Sequence, residues 1–247
     1  MSVSLRCYST SLGCPKNRVD TERLLGSLGV ALVPVESPDE AELVFINTCA
    51  FIQPATEESV RTIAQAIADI EELPKRPLLA VAGCLVGRYH AEDLAPELPE
   101  VDLWLDNSDL EAWPAMLARK LGLPEPTVPG RILSTGPSYA WLKISDGCRH
   151  ACSFCAIPNI RGGHRSHCKD MIVREARALL DQGVKELNLV AQDLTEWGCD
   201  LDGKQDLRTL LDGLLPLQGL ERLRLMYLYP AGMTHEMLKY LREAGKP

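Results

Sequence analysis

The chain has 247 residues and a net charge of −8, from 26 basic and 34 acidic side chains. Hydrophobic residues make up 46% of it and charged residues 24%, as in soluble globular proteins with one large or two modest domains. The acidic balance predicts no strong nucleic-acid footprint, because non-specific binding to phosphates needs clustered Lys and Arg. No apolar run reaches the roughly 18 residues of a membrane span, and Met1–Tyr8 lacks the features of a signal peptide. We therefore expect a cytoplasmic protein without a membrane partner.

The first half of the chain alternates short apolar runs with amphipathic stretches. The runs predict strands at Ser4–Tyr8, Leu43–Asn47, Leu78–Ala82 and Val101–Leu105. The stretches between them predict helices at Asn17–Leu28, Ala55–Leu73, near Tyr89–Leu94 and at Asp109–Leu121. Strands separated by helices indicate a parallel sheet with crossover connections, so we expect an α/β domain over residues 1–122.

A second region follows a stretch rich in Pro and Gly. Residues 123–137 contain four prolines and two glycines, which predicts a linker. The pattern then restarts with predicted strands at Tyr139–Ile144, Glu186–Ala191 and Leu223–Tyr229, and predicted helices at Asp170–Gln182, Asp206–Leu215 and Thr234–Ala244. Three βα units cannot close a barrel. The prediction for residues 138–247 is therefore an incomplete (βα) barrel, and we expect the chain to be a fragment or a truncated product.

Three cysteines lie on one predicted loop, between Asp146 and Gly163, in the sequence GCRHACSFC. Cys148, Cys152 and Cys155 have the spacing C-x3-C-x2-C, and three thiolates on one loop suit an iron–sulfur cluster. Zinc is the alternative, with His150 or His164 as a fourth ligand. Three buried cysteines that act only as small hydrophobic residues fit this polar, Gly-containing loop badly.

Three further cysteines are dispersed through the first half. Cys14, Cys49 and Cys84 each come shortly after a predicted strand, 35 residues apart both times. Loops after neighbouring parallel strands gather at one edge of a sheet, where ligands bind. These positions therefore predict a metal or cluster site, with three unrelated thiols near strand ends as the alternative.

The sequences SLGCPKNRVDTE, INTCAFI and VAGCLVGRY, followed by the C-x3-C-x2-C loop, resemble the methylthiotransferase family of radical S-adenosylmethionine (SAM) enzymes. The resemblance implies one [4Fe–4S] cluster on Cys14, Cys49 and Cys84. It implies a second [4Fe–4S] cluster on the three loop cysteines, with one iron left open to SAM. In the implied reaction SAM is both the methyl donor and the radical source, and a low-potential donor supplies the electron.

Two residues are candidates for contact with SAM. Phe154 matches the family's aromatic position beside the adenine, and a core phenylalanine is the alternative. Gln192 and Asp193 lie at the end of a predicted barrel strand, a position that faces ligands in such folds, and Gln192 is the candidate for SAM. The alternative for these two residues is a helix cap or a loop hydrogen bond. No other catalytic residue is assigned beyond the cluster ligands.

The motifs LGCPKN, VAQD and YLYP resemble the branch of the family that modifies an aspartate of a small-subunit ribosomal protein. That branch implies a methylthio group on the aspartate β-carbon. Two alternatives stay open: a tRNA (adenosine) methylthiotransferase, and a truncated, non-catalytic iron–sulfur protein.

Several other cysteines and histidines are not assigned as ligands. Cys7 is expected in the core, Cys168 as a structural or incidental thiol, and Cys199 as a free thiol in a polar loop. His164 and His167 are expected to be solvated loop residues.

Overall fold

The computed structural model describes residues 4–245, so the first three residues of the predicted Met1–Tyr8 segment, and the last two residues of the chain, lie outside it. The chain divides into two compact units. The first comprises the residues up to Ile132 together with Asn159–Arg161, and the second comprises Leu133–Pro158 and the residues from Gly162 onward. The change from one unit to the other after Ile132 falls inside the stretch 123–137.

The first unit contains a five-stranded parallel sheet with the strand order β2-β1-β3-β4-β5. Its strands are β1 (Ser4–Ser11), β2 (Ala31–Pro34), β3 (Leu43–Thr48), β4 (Leu78–Gly83) and β5 (Leu103–Leu105). Its helices are α1 (Pro15–Ser27), α2 (Gln53–Ile70), α3 (Cys84–Tyr89), α4 (Ala91–Leu94) and α5 (Trp113–Leu121), with 3-10 turns at Pro38–Glu40 and Asn107–Asp109.

The central strand β3 determines how this sheet is covered. All six of its residues are buried, as expected for a parallel strand with helices on both faces. Phe45 shares one core with Leu24 of α1 and Trp113 of α5, and α2 packs against β3 as well. The predicted parallel α/β fold is confirmed for this unit.

One strand was missed, and one helix prediction was wrong. Strand β2 was not predicted, because it has only four residues, is mostly exposed and ends in Pro34. The single helix expected near Tyr89–Leu94 is two short helices, α3 and α4. They are separated at His90, where the backbone has a φ of 59° that no helix accommodates.

The second unit contains a three-stranded parallel sheet with the order β10-β9-β6. Its strands are β6 (Tyr139–Lys143), β9 (Glu186–Val190) and β10 (Arg222–Leu225), and an antiparallel pair joins β7 (Ser145–Asp146) to β8 (Arg165–Ser166). Its helices are α7 (Lys169–Asp181), α8 (Leu207–Leu214) and α9 (His235–Glu243), with 3-10 turns at Leu194–Glu196 and Pro230–Gly232. Helix α6 (Ile157–Arg161) ends in residues that belong to the first unit.

The second unit is an open structure in the described part of the chain. Helices α7 and α8 pack on β6 and β9 around Leu142, Leu189 and Trp197. Residues 4–245 form no closed barrel, in agreement with the incomplete barrel expected from three βα units. None of the helices in this range combines the length and apolar character that crossing a membrane requires.

The end of the predicted linker is fixed to α1. The backbone N–H of Gly130 donates to Ser27 Oγ at 3.0 Å, and that of Ile132 donates to the Glu22 carbonyl at 3.1 Å. Between them, Arg131 Nη2 forms a buried ion pair with Glu22 Oε2 at 2.6 Å. Residues 130–132 therefore pack as part of the first unit.

Candidate metal centres

The first three-cysteine group lies at the carboxyl edge of the five-stranded sheet. Cys14 follows β1, Cys49 follows β3 and Cys84 follows β4, and these three strands are neighbours in the sheet. Cys14 is the N-cap of α1, and Cys84 is the first residue of α3. The N-terminus of a helix favours negative charge, so the position at α1 suits a thiolate.

One buried amide contacts two of these sulfur atoms. Asn17 is fully buried, and its Oδ1 lies 4.0 Å from Cys14 Sγ and 3.7 Å from Cys84 Sγ. The other end of the amide is fixed, because Nδ2 donates to the carbonyls of Leu12 at 3.0 Å and Thr48 at 2.7 Å. The orientation of the amide therefore follows from its contacts, and Oδ1 faces the thiols.

The third cysteine of this group, Cys49, packs directly against Gly13. Gly13 has a φ of +82°, and a Cβ at this position would lie 2.6 Å from Cys49 Cβ and 2.8 Å from Cys49 Sγ. Real Cβ atoms do not approach that closely. The loop that carries Cys14 can therefore lie against Cys49 only with glycine at position 13.

The Cys49 backbone is fixed on both sides. Its N–H donates to Ser59 Oγ at 3.0 Å, and the Ser59 hydroxyl donates back to the Cys49 carbonyl at 2.7 Å. The preceding Thr48 hydroxyl donates to the Ala82 carbonyl at 2.5 Å and accepts from the Leu85 N–H at 3.2 Å. These bonds tie the loop after β3 to helix α2, to the end of β4 and to the start of α3.

The electrostatic environment of Cys49 reflects its two neighbours. Burial raises the pKa of the Cys49 thiol, and the adjacent Cys84 and Cys14 raise it further, whereas a backbone hydrogen bond from Phe51 and the Arg161 guanidinium lower it. The contacts of Asn17 with Cys14 and Cys84, and the close approach of Gly13 to Cys49, place the three thiols at one site. The structure thus brings Cys14, Cys49 and Cys84 together.

The second three-cysteine group lies on the loop between β7 and β8. The Cys148 N–H donates to the Gly162 carbonyl at 3.2 Å, and the Cys155 N–H donates to the Cys152 carbonyl at 3.0 Å. A Cβ on Gly147, which has a φ of +64°, would lie 2.0 Å from the Gly163 carbonyl oxygen. Glycine before Cys148 therefore allows the two ends of the loop to meet.

These three thiols are also mutual neighbours. Burial raises the pKa of the Cys148 thiol, and a backbone hydrogen bond from His150 lowers it. The neighbouring thiols of Cys155 and Cys152 raise the Cys148 pKa further. Cys152 is exposed, and the other two are half-buried. The group is thus more accessible than the first one.

A histidine inside the cysteine loop anchors it to the strand end. His150 Nε2 lies 2.8 Å from Asp193 Oδ2, and its ring packs on Tyr229 with 4.7 Å between centroids. Burial alone would raise the pKa of Asp193, but hydrogen bonds from Thr195 and His150 hold it below its ordinary value. Asp193 also caps the following 3-10 turn by accepting from the Thr195 N–H. Sequence reasoning missed this His150–Asp193 pair.

The sulfur atoms of both groups are farther apart than the ligands of a single zinc ion. A tetrahedral zinc site with thiolate ligands needs sulfur atoms about 3.8 Å apart. Within residues 4–245, neither cysteine group has its three sulfur atoms all within 4.8 Å of one another. The two histidines considered as fourth ligands are bonded elsewhere, His150 to Asp193 and His164 to Ser166 Oγ at 3.0 Å. Cysteine thiolates are also the usual ligands of iron–sulfur clusters.

The two candidate SAM contacts differ in their surroundings. The Phe154 side chain is 88% exposed, so it is not a core residue. Gln192 follows β9, and both polar atoms of its side chain, Oε1 and Nε2, are buried without a hydrogen-bond partner among the described residues. Two unpartnered polar atoms in a buried amide are costly unless a ligand satisfies them.

Two expectations about histidine were wrong. His164 and His167 were predicted to be solvated, but their side chains are 3% and 18% exposed. His164 lies against Asp200, and His167 lies between the Lys143 carbonyl and Asp146 Oδ2. Both are held by the β7–β8 pair and its neighbours, which no periodic pattern in the sequence indicates.

The remaining cysteines lie apart from the two groups. Cys7 is buried in β1, and burial raises its pKa to about 12, so it is a neutral core thiol as expected. Cys168 is exposed at the N-cap of α7, and Cys199 is exposed beside Arg149. None of the nine cysteines forms a disulfide.

Comparison with known families gives two matches along the chain. Residues 6–106 match the model described as Uncharacterized protein family UPF0004, and residues 142–247 match the Radical SAM superfamily. Each match covers one of the two cysteine groups.

Two similar curated proteins carry the same name. The chain is 68% identical over 240 residues to the ribosomal protein uS12 methylthiotransferase RimO of Nitratidesulfovibrio vulgaris, and 58% identical over 247 residues to that of Lawsonia intracellularis. The alignments cover 97% and 100% of this chain but 56% of each relative. The chain therefore spans little more than half the length of the curated relatives it matches.

Solved structures show the same fold at low identity. A radical SAM methyltransferase, TsrM from Kitasatospora setae, solved with cobalamin and a [4Fe-4S] cluster, superposes with a TM-score of 0.65 and 14% identity. That superposition covers 100% of this chain and 58% of TsrM.

Proposed function

We propose, for a chain that belongs to the methylthiotransferase family of radical SAM enzymes, that the protein adds a methylthio group to the β-carbon of an aspartate in ribosomal protein uS12. The observation that carries this proposal is the convergence of Cys14, Cys49 and Cys84 at one sheet edge, in a chain that also has the C-x3-C-x2-C loop. The identity of 68% with a relative named for uS12 methylthiolation supports the substrate.

The proposal assigns one [4Fe–4S] cluster to each cysteine group. Cys14, Cys49 and Cys84 would hold the first, and Cys148, Cys152 and Cys155 would hold the second together with SAM. When bound, the clusters and SAM would supply an electron, a hydrogen-abstracting radical, sulfur chemistry and a methyl group. An unactivated aspartate β-carbon requires such an abstractor, and the protein's part is to position and shield these groups.

Within the second site we assign Gln192 to SAM. A buried amide whose Oε1 and Nε2 both lack partners among the described residues supports this role, because SAM carries an amino and a carboxylate group that would satisfy one atom each. Phe154, exposed on the cysteine loop, is assigned to the adenine face. The His150–Asp193 bond would hold the loop at the strand end that presents Gln192.

The test of the metal assignment is a count of iron and sulfide after anaerobic reconstitution. The chain should bind about eight irons, and Cys49→Ala or Cys152→Ala should each remove about half of them. Cys199→Ala and Cys168→Ala are matched controls and should leave the count unchanged. Zinc without iron, or equal losses from the control variants, would contradict the assignment.

The test of the substrate is transfer of a methylthio group to purified uS12, followed by mass spectrometry of its aspartates. A modified aspartate, together with cleavage of SAM, is the expected result for the reconstituted protein. Transfer to tRNA instead would favour the tRNA branch of the family. Two intact clusters with no SAM cleavage would favour a non-catalytic iron–sulfur protein.

A further inference from the structure

We propose that Arg161 is a positioning residue and the fixed counter-charge of the Cys14, Cys49 and Cys84 centre, and that it raises the reduction potential of a cluster held there. The inference rests on the proposed function in one respect, the presence of a cluster on these cysteines. Arg161 lies six positions after Cys155 in the sequence, yet it belongs to the first unit. Nothing in the sequence pattern predicts that placement.

The Arg161 side chain is buried beside the carboxylate of Asp20. It is 3% exposed, Asp20 is 2% exposed, and Nη2 lies 3.1 Å from Asp20 Oδ2. Removing two charges from water is expensive, and buried ion pairs contribute little net stability compared with apolar residues of the same volume. A contribution to stability is therefore a weak explanation for this buried ion pair.

The same guanidinium nitrogen also donates to Asn17 Oδ1. This is the oxygen that lies 4.0 Å from Cys14 Sγ and 3.7 Å from Cys84 Sγ. Arg161 therefore reaches the cysteine group through one intervening atom.

A positive charge is needed at this position once the thiols are deprotonated. A thiolate cannot donate a hydrogen bond, so Asn17 Oδ1 would then face two anionic sulfur atoms. The amide cannot turn round without losing the bonds from Nδ2 to Leu12 and Thr48. Donation from Arg161 offsets the repulsion, and arginine keeps its charge at any working pH.

The consequence for electron transfer follows from charge. One-electron reduction adds a negative charge to a cluster, and a nearby fixed positive charge stabilises the reduced state more than the oxidised one. Cluster potentials depend on such charge and on hydrogen bonding around the sulfur ligands. Asp20, which accepts from the same Arg161 nitrogen, carries a negative charge and has the opposite effect. Arg161 and Asp20 should therefore shift the potential in opposite directions.

The experiment isolates the first centre by replacing Cys148, Cys152 and Cys155 with alanine in the whole chain. Iron and sulfide are counted, and the potential is then measured by redox titration followed by electron paramagnetic resonance. Arg161→Gln should lower the potential enough to change the oxidised-to-reduced ratio about tenfold, which corresponds to about 59 mV for one electron. Arg161→Lys should keep the potential near that of the background protein, and Asp20→Asn should raise it.

The outcomes separate the two proposals. A background protein that binds no iron would overturn the proposed cluster and this inference with it. Full iron content with no shift in Arg161→Gln, or with Arg161→Gln and Asp20→Asn shifted in the same direction, would overturn the role of Arg161 alone. If Arg161→Gln loses iron, Arg161→Lys and Asp20→Asn are compared instead. A reduction potential that rises in Asp20→Asn but not in Arg161→Lys supports the role of Arg161. An unchanged potential in Asp20→Asn refutes it.

Discussion

Replacing Gly13 with alanine should prevent Cys14 and Cys49 from sharing a centre. The new Cβ would need to occupy space 2.6 Å from Cys49 Cβ, an atom next to the backbone that cannot rotate away. The φ of +82° alone costs about 1–2 kcal/mol for a residue with a side chain. Overpacking of this kind adds about 1–3 kcal/mol. We therefore expect Gly13→Ala to lower the free energy of unfolding by about 2–5 kcal/mol.

Gly122 provides a matched control for this prediction. It has a similar φ of +69°, but a Cβ there would have no atom within 4 Å. Gly122→Ala should therefore lose only the backbone part, about 1–2 kcal/mol. Urea denaturation of the two variants measures the difference, and iron counts after reconstitution measure the effect on the centre. Gly13→Ala should lose about half of the iron, and Gly122→Ala none. If both variants bind the same amount of iron, the contact between Gly13 and Cys49 does not control the site.

Three further measurements test other parts of the structure. Glu22→Gln removes the carboxylate that lies 2.6 Å from the buried Arg131 guanidinium and should cost about 3–5 kcal/mol in urea denaturation; a loss below about 1 kcal/mol would contradict this. Hydrogen bonds from Arg224 hold the pKa of Glu186 below its ordinary value. Its contribution to stability is therefore present above about pH 4.3 and is lost as the pH falls further, so the thermal midpoints of Glu186→Gln and the unmodified chain should converge in acid. Gln192→Leu should weaken SAM binding in calorimetry without lowering the stability of the metal-free chain; unchanged SAM affinity would refute the assigned contact.

The extent to which the fold was predictable depends on burial. Strands β3 and β4 are continuous apolar runs, because both faces of a parallel strand are covered, and such runs are visible in a single sequence. Strand β2 lies at the edge of the sheet with most of its residues exposed, and its apolar residues form a run of only four that ends in Pro34, too short to distinguish a strand from a loop. The break at His90 was equally hidden, because a positive φ at a residue other than glycine or asparagine has no reliable sequence signature.

In the candidate sites, features that depend on backbone topology could be predicted from the sequence, and features that depend on side-chain packing could not. The juxtaposition of Cys14, Cys49 and Cys84 follows from strand ends in a parallel sheet, which depends on topology alone and could be predicted. Glycine directly precedes Cys14, Cys84 and Cys148, a signal for close approach that the cysteine spacing alone does not use. Arg161 could not be found this way, because it reaches Asn17 across 144 positions through packing between side chains. The residues that surround a centre are placed by tertiary packing. A single sequence can therefore indicate where the cysteine ligands gather, but not which charged side chains lie beside them.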